Sequence, residues 1–330
     1  MRAVQLSAFG DPSSAPAFTT IAEPAAPGAH EVAIDVLLAP VNHNDLLLIA
    51  GRLPFKPALP AVLGNEAVGR ISAVGAGVNH VRIGDLVTPP LYSGTWRERM
   101  VIPAADLFAL PAGADLEQLA MLRINPLTAG LMLSEYVKLQ PGDWVVQNAA
   151  NSGVGRAVIA LAKSRGLHTI NLVRRPELIP ELQAAGGDIV LLDNAAARAD
   201  NAARAAAIVG ERKVRLAIDG VLGEATARLV DYLAPGSSLI AYAMMSGEQT
   251  APVDLMPLMF KSISSHFFYQ NRPQYKKAIL PLLNEAAELV ASGKLYAPVA
   301  ARYALSEIDA AIKHTMGGGK VLIDIGIHTA

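Results

Sequence analysis

Between Asp143 and Lys163 the chain reads Asp-Trp-Val-Val-Gln-Asn-Ala-Ala-Asn-Ser-Gly-Val-Gly-Arg-Ala-Val-Ile-Ala-Leu-Ala-Lys. Four residues of buried-strand character, Trp144 to Gln147, meet a turn of small residues and then an apolar helix-forming stretch. That order opens a βαβ unit in which helix N-terminal N–H groups receive a pyrophosphate. Gly153 and Gly155 carry no Cβ, so backbone at these positions can approach phosphates closely. The first glycine of the full G-x-G-x-x-G pattern is absent, and a plain tight turn is the alternative reading of this loop taken alone. The following strand, Thr169-Ile-Asn-Leu-Val173, ends in Arg174 and Arg175, about 20 residues beyond Gly155, where an NAD enzyme carries an acid for the ribose 2′-hydroxyl. Two planar, permanently charged guanidiniums suit a 2′-phosphate instead, so this position predicts NADPH over NADH. The alternative here is a solvated strand end with two surface arginines.

The texture on either side of this turn divides the chain. Residues 1–120 carry short alternating apolar runs, such as Glu31-Val-Ala-Ile-Asp-Val-Leu37, broken by Gly and Pro, which predicts a loop-rich β domain. From 121 to 265, β-rich runs alternate with Ala/Leu-rich helical stretches, the pattern of βαβ units and a parallel sheet. The remainder holds a long helical stretch over 274–291, a helix start at Ser306-Glu-Ile-Asp309, and a last strand, Lys320 to Ile325. The alanine-rich segment 194–207 places Arg and Asp at helix-compatible spacing and reads as a surface helix. A length of 330 residues exceeds one ordinary core, so two cores are expected.

Composition excludes several classes. With 28 basic and 29 acidic residues and no long single-sign run, the chain shows no footprint for nucleic acid or a membrane surface. No apolar segment reaches the roughly 20 residues that span a bilayer. The start, Met-Arg-Ala-Val-Gln-Leu, lacks the apolar stretch and cleavage site of a signal peptide, and a cytoplasmic address is expected. Zero cysteines remove disulfides, thiolate nucleophiles and cysteine-based zinc sites together.

Six segments, taken in order along nearly the whole chain, carry a family resemblance: Pro60-Ala-Val-Leu-Gly-Asn-Glu66, Gly94-Thr-Trp96, Asn125-Pro-Leu-Thr-Ala129, Leu139-Gln-Pro-Gly-Asp143, Gln147 to Gly155, and Thr169 to Arg174. Together they resemble the medium-chain dehydrogenase/reductases, and within them the mitochondrial-type 2-enoyl thioester reductases, next to the quinone reductases. The resemblance implies an α/β fold: a Rossmann-type doubly wound parallel sheet over 121–265, plus a GroES-like β-rich catalytic domain over 1–120 completed by 266–330. The active site is then expected in the cleft between the two, and a homodimer is expected because relatives commonly form one. Cofactor contacts are implied for Asn125 and Thr128, for Asn151, Ser152, Gly153, Val154 and Gly155 in the turn, and for Arg174 with Arg175. Tyr242 and Met244 would follow the next strand, Phe267 and Tyr269 would flank the nicotinamide, and Lys320 would reach the cofactor from the C-terminal part. Bland alternatives exist: Tyr242 and Phe267 as core aromatics, Lys320 as the start of a solvent-facing strand.

The departures from the family pattern bear on chemistry. Zinc alcohol dehydrogenases of the superfamily hold their metal with a Cys, the His of Gly-His-Glu and a later Cys or Asp, whereas this chain has Gly64-Asn65-Glu66 and no Cys. No catalytic metal is therefore expected, and Asn65 reads as a turn residue. Without a Lewis acid, hydride from nicotinamide C4 is best delivered to an electrophile that already delocalises charge, such as an enoyl thioester, an enone or a quinone. In the 2-enoyl thioester reductases a Tyr shortly after Asn-x-x-Asp is the proton donor; here that element is Asn42-His43-Asn44-Asp45, and Leu53 stands in the Tyr position. Substitutes are Asn42 as an enolate donor, Tyr92 as an acid, His43 for its pKa near neutrality, or water. The leading expectation is an NADPH-dependent reductase of 2-enoyl thioesters or related activated alkenes. A quinone or enone reductase is the alternative favoured by Leu53, and a catalytically silent NADPH-binding protein is the alternative of another class.

Overall fold

The computed structural model describes residues 1–210 and 213–326. It comprises two units, Met1–Ile124 with the C-terminal segment from Val290, and Asn125–Leu289.

The first unit is built from short strands separated by turns. β1 (Arg2–Leu6) pairs antiparallel with β2 (Pro16–Thr20) and with β4 (Ala61–Val62). β3 (Glu31–Val41) is the spine of a larger sheet, antiparallel to β5 (Val68–Val74) and to β7 (Arg99–Pro103). β6 (Leu86–Thr88) joins β5 to β8 (Phe108–Ala109). Two short helices interrupt the strands, α1 (His43–Ile49) directly after β3 and α2 (Leu116–Leu119). The inward residues of β3, among them Val32, Ile34 and Val36, form one core with Trp96 and Met100. Trp96 is fully buried, and its indole N–H is not orphaned, because it donates to the Pro40 carbonyl at 3.3 Å.

The second unit carries a six-stranded parallel sheet. Its strands are β9 (Trp144–Gln147), β10 (His168–Val173), β11 (Ile189–Leu192), β12 (Val214–Asp219), β13 (Ser238–Ala241) and β14 (Ser264–Phe267). Their order across the sheet is β11-β10-β9-β12-β13-β14. The order reverses beside β9, the switch point at which doubly wound sheets bind dinucleotides. Parallel strands covered on both faces need near-continuous apolar sequence, and all four residues of β9 are buried. Six helices follow or connect these strands: α4 (Gly153–Ser164), α5 (Leu178–Ala184), α6 (Arg198–Val209), α7 (Glu224–Val230), α8 (Leu255–Phe260) and α9 (Lys276–Ala291); α3 (Asn125–Glu135) precedes them. The alanine-rich segment is accordingly a helix, α6, with only Ala205 and Val209 buried.

The chain then returns to the first unit through β15 (Val299–Ala304), α10 (Ile308–Gly317) and β16 (Lys320–Asp324). β16 lies antiparallel to β3, with Val321 opposite Val41. The division between units departs from the expected one. Residues 266–289, expected to complete the first domain, cluster with the second, and the first extends to Ile124 rather than 120. The cause is packing. β14 adds to the parallel sheet, with His266 opposite Ile240, and Tyr275 and Leu282 close a core with Leu127 and Leu131 of α3. No helix among the described residues is long and apolar enough to cross a membrane.

Candidate active site

In the second unit the glycine turn is organised by its own side chains. Ser152 caps α4, its hydroxyl accepting from the Gly155 N–H at 3.1 Å, which orients the helix N-terminus. Gly153 and Gly155 serve different neighbours. A Cβ on Gly153 would lie 2.4 Å from Asn125 Nδ2, and one on Gly155 would lie 2.5 Å from the Ala150 carbonyl oxygen. Gly155 is thus a packing glycine that lets α4 lie against the turn, while Gly153 admits the Asn125 amide. Ala149 stands at the left-handed position of this loop, φ 47°, which glycine fills more readily.

Buried amides fix the strand ends beneath the turn. Gln147 Nε2 donates to the Gly155 carbonyl at 2.9 Å and to Asn171 Oδ1 at 2.8 Å. Asn148 Nδ2 donates to Asp219 Oδ1 at 2.7 Å, and its Oδ1 accepts from the Gly220 N–H. Asp219 also accepts from Val221, Leu222 and the Thr226 hydroxyl, so the loop after β12 is tied to the end of β9. Tyr242, after β13, hydrogen-bonds Ser152; burial pushes its phenol up to about 12. Thr128 is buried and donates to Gln270 Oε1 at 3.1 Å.

Other expected cofactor residues are exposed. Arg174 and Arg175 directly follow β10, with Arg175 facing Glu177 at 3.6 Å and Arg174 in no ion pair among the described residues. Met244 is 48% exposed and Phe267 68% exposed, which removes the core-aromatic alternative for Phe267. The turn, the N-terminus of a 12-residue helix and the Arg174 guanidinium at the end of β10 are donors of the kind that bind phosphate.

The first unit holds a buried polar cluster that sequence reasoning saw only in pieces. Asn42 begins α1 and is 5% exposed. Its Nδ2 donates to Glu66 Oε1 at 2.9 Å, and its Oδ1 accepts from Lys320 Nζ at 2.6 Å. Glu66 Oε2 accepts from the Ile124 N–H at 2.9 Å, and Asp45 Oδ2 accepts from the Asn42 N–H at 2.7 Å. Burial pushes Asp45 up to about 8 and Glu66 up to about 7, with Lys320 opposing the shift in both. Lys320 itself is held below its ordinary value by desolvation. It does not start a solvent-facing strand, since its ammonium turns inward.

The expected acids have different surroundings. His43 is exposed at the head of α1, and the burial its ring does have, then the Arg52 guanidinium, hold it below its ordinary value. Tyr92 is half-buried with φ 62°, a left-handed conformation strained for an aromatic residue. Its ring meets Phe55 edge-on at 4.8 Å, and its hydroxyl lies 3.5 Å from Asn44 Nδ2. Leu53, Phe55 and Tyr92 all pack against the first unit's core. Asn65 differs from the turn residue expected. Its carbonyl receives the Tyr92 N–H, but its side chain is buried and Nδ2 has no partner among the described residues. No three of His, Asp or Glu come together as a metal-holding group among the described residues.

Residues 28–112 match the alcohol dehydrogenase GroES-like domain, and residues 153–285 match the family described as zinc-binding dehydrogenase. The mitochondrial enoyl-[acyl-carrier-protein] reductase of Bos taurus is 34% identical over 319 residues, covering 93% of this chain and 83% of the relative. The chain belongs to the medium-chain dehydrogenase/reductases, with the enoyl thioester reductases. Among solved structures of this family, the Etr1p/NADP/crotonyl-CoA complex aligns with a TM-score of 0.89 at 26% identity, covering 98% of this chain and 99% of that one. Escherichia coli quinone oxidoreductase complexed with NADPH aligns with a TM-score of 0.82 at 26% identity, covering 98% and 100%.

Sequence reasoning missed Gln147, Asn148, Asn171, Asp219 and Glu66 as organising residues. The available signal was an amide or acid within or just after an otherwise apolar run.

Proposed function

We propose that this chain is an NADPH-dependent reductase of activated carbon–carbon double bonds, acting on 2-enoyl thioesters without a metal. The observation that carries the reading is the capped glycine turn with Arg174 in no ion pair among the described residues, on a chain that matches the bovine enoyl reductase over 93% of its length. Bound NADPH supplies a hydride for the β-carbon. The second unit holds the cofactor: Asn125, Thr128 and the 151–155 turn receive its phosphates and ribose, Arg174 and Arg175 its 2′-phosphate. Phe267 and Tyr269 would flank its nicotinamide, and Tyr242 and Met244 would meet it from the segment after β13. In the first unit Tyr92 gives the proton to the α-carbon and is reprotonated by solvent. His43 is the second choice of acid, because a depressed imidazole is mostly neutral at pH 7 and has no proton to spare. Asn42 has its carboxamide oriented by Glu66 and Lys320, one N–H given to Glu66 and its oxygen to Lys320, and in that orientation it orders the head of α1.

A quinone or enone reductase is the second reading, favoured by Leu53, which puts a hydrocarbon where the relatives of the thioester type carry an acid. NADPH oxidation by the purified chain across enoyl thioesters, enones and quinones decides between them. Enoyl thioesters as the best acceptors are expected; quinones alone would establish the second reading, and no turnover with tight NADPH binding would establish a silent binding protein. The proposal includes a homodimer and a cytoplasmic address. The relatives are named as mitochondrial, and fractionation of cells expressing a tagged chain tests the address.

A further inference from the structure

Lys320 was expected to reach the cofactor, yet its ammonium is already engaged. β16 runs antiparallel to β3 with Val321 opposite Val41, which sets Lys320 beside Asn42, 278 positions away in the chain. There it donates to Asn42 Oδ1 at 2.6 Å, while Asn42 Nδ2 is held by Glu66 at 2.9 Å. These two bonds fix which way the carboxamide faces, because swapping its oxygen and nitrogen would oppose donor to donor and acceptor to acceptor. Asn42 in turn leads into α1, whose Asp45 takes the Asn42 N–H and whose Asn44 faces the Tyr92 hydroxyl.

The charges facing one another are Glu66 from the segment after β4, Asp45 from α1, Lys320 from β16 and Arg123 before α3. Arg123 is buried, donates to the Thr88 and Asp106 carbonyls at 3.1 and 3.4 Å, and adds its charge to the field at Glu66 and Asp106 without a bond to Asn42. Lys320 is the member of the set whose cation bonds directly into the Asn42–Glu66 pair. A buried carboxylate deprived of its counter-charge must either take up a proton or destabilise the fold.

We propose that Lys320 is a positioning residue, the counter-charge that holds Glu66 and Asn42 and thereby sets the head of α1 facing Tyr92, rather than a ligand of the cofactor. The proposal rests on the reductase reading for its catalytic consequence but not for its structural one. Burial that raises Glu66 and Asp45 agrees with a site short of positive charge, and its relief by protonation gives the test a pH arm.

The test compares Lys320→Met, Glu66→Gln and the double variant, measuring denaturant midpoints at pH 6 and pH 8, NADPH affinity by fluorescence, and steady-state kinetics. Lys320→Met is expected to lose more midpoint at pH 8 than at pH 6, because Glu66, raised further once Lys320 is gone, takes up its neutralising proton more completely at the lower pH. NADPH affinity should change less than about threefold, and kcat should fall about tenfold or more with KM for the acceptor little changed, as for a lost transition-state contact. The double variant should recover midpoint relative to Lys320→Met. Should Lys320→Met not accumulate as folded protein, the double variant decides, since the proposal requires it to fold. A large loss of NADPH affinity with unchanged midpoints, or a double variant no more stable than Lys320→Met, overturns the proposal. If the unaltered chain reduces no acceptor, the reductase reading fails, while the midpoints and NADPH affinity still decide the role of Lys320.

Discussion

Tyr92 holds a backbone conformation that costs an aromatic residue on the order of 1 kcal/mol or more, and it does so beside Phe55 and Asn44. Strain retained at one hydroxyl-bearing residue in the unit that lacks the family's Tyr is the reason to test it first. Tyr92→Phe is expected to lower enoyl-thioester turnover by roughly a hundredfold while quinone reduction changes little, the scale of a lost general acid. Leu53→Tyr should then recover part of the thioester activity. If Tyr92→Phe leaves both activities intact, the proton comes from solvent. Arg174 carries a second expectation. With no ion pair among the described residues, its guanidinium can turn to a 2′-phosphate without giving up a carboxylate. Arg174→Ala should weaken NADPH by about 1–3 kcal/mol and leave NADH unchanged in a fluorescence titration. Equal loss for both cofactors would place Arg174 away from the 2′-phosphate.

At the scale of elements, the head of α1 and the end of β9 are both held by buried polar groups, and both are pH- or packing-sensitive for that reason. Asp45 and Glu66 have folded values above those of an unfolded chain, so the folded state binds their protons more tightly. The stability this lends is fully present below about pH 4 and is lost as pH rises through about 7 and 8. The denaturant midpoint should therefore fall between pH 5 and pH 8, and Asp45→Asn should flatten that decline; an unchanged slope would place the cause elsewhere. How legible these elements are in sequence follows from the range of their contacts. The strand, turn and helix around Gly153 are local, and Trp144 to Ser164 could be read from periodicity and turn chemistry alone. The amides that order the same turn were opaque, because Gln147 meets Asn171 across 24 positions and Asn148 meets Asp219 across 71. Their pairing exists only once β10 and β12 lie on either side of β9. Asn42, Glu66 and Lys320 are illegible for the same reason, being joined by the antiparallel return of β16 on β3. The boundary at 289 rather than 265 likewise depends on Tyr275 and Leu282 packing onto α3, which no local pattern announces.

At the scale of the whole molecule, the six-stranded sheet ends at β14, whose outer edge pairs with no strand among the described residues. An open edge invites another strand, and a two-fold axis lets the same edge serve both partners. The neighbouring α8 sharpens the case, since an apolar helix of sequence Leu-Met-Pro-Leu-Met-Phe has no buried residue at all. Leu255 is 72% exposed, Met259 61% and Phe260 75%. Apolar surface of this kind is costly in water, and a second copy presenting the same patch would cover it. The chain, 34.6 kDa by sequence, is accordingly expected to sediment at twice that mass. Met259→Asp with Phe260→Asp should shift it toward the monomer, since two carboxylates would be desolvated in each half of the contact. The paired variant should keep its NADPH affinity, as neither residue belongs to the glycine turn or to the end of β10. A monomeric unaltered chain, or a dimer indifferent to both aspartates, would show that this patch is not the contact between copies.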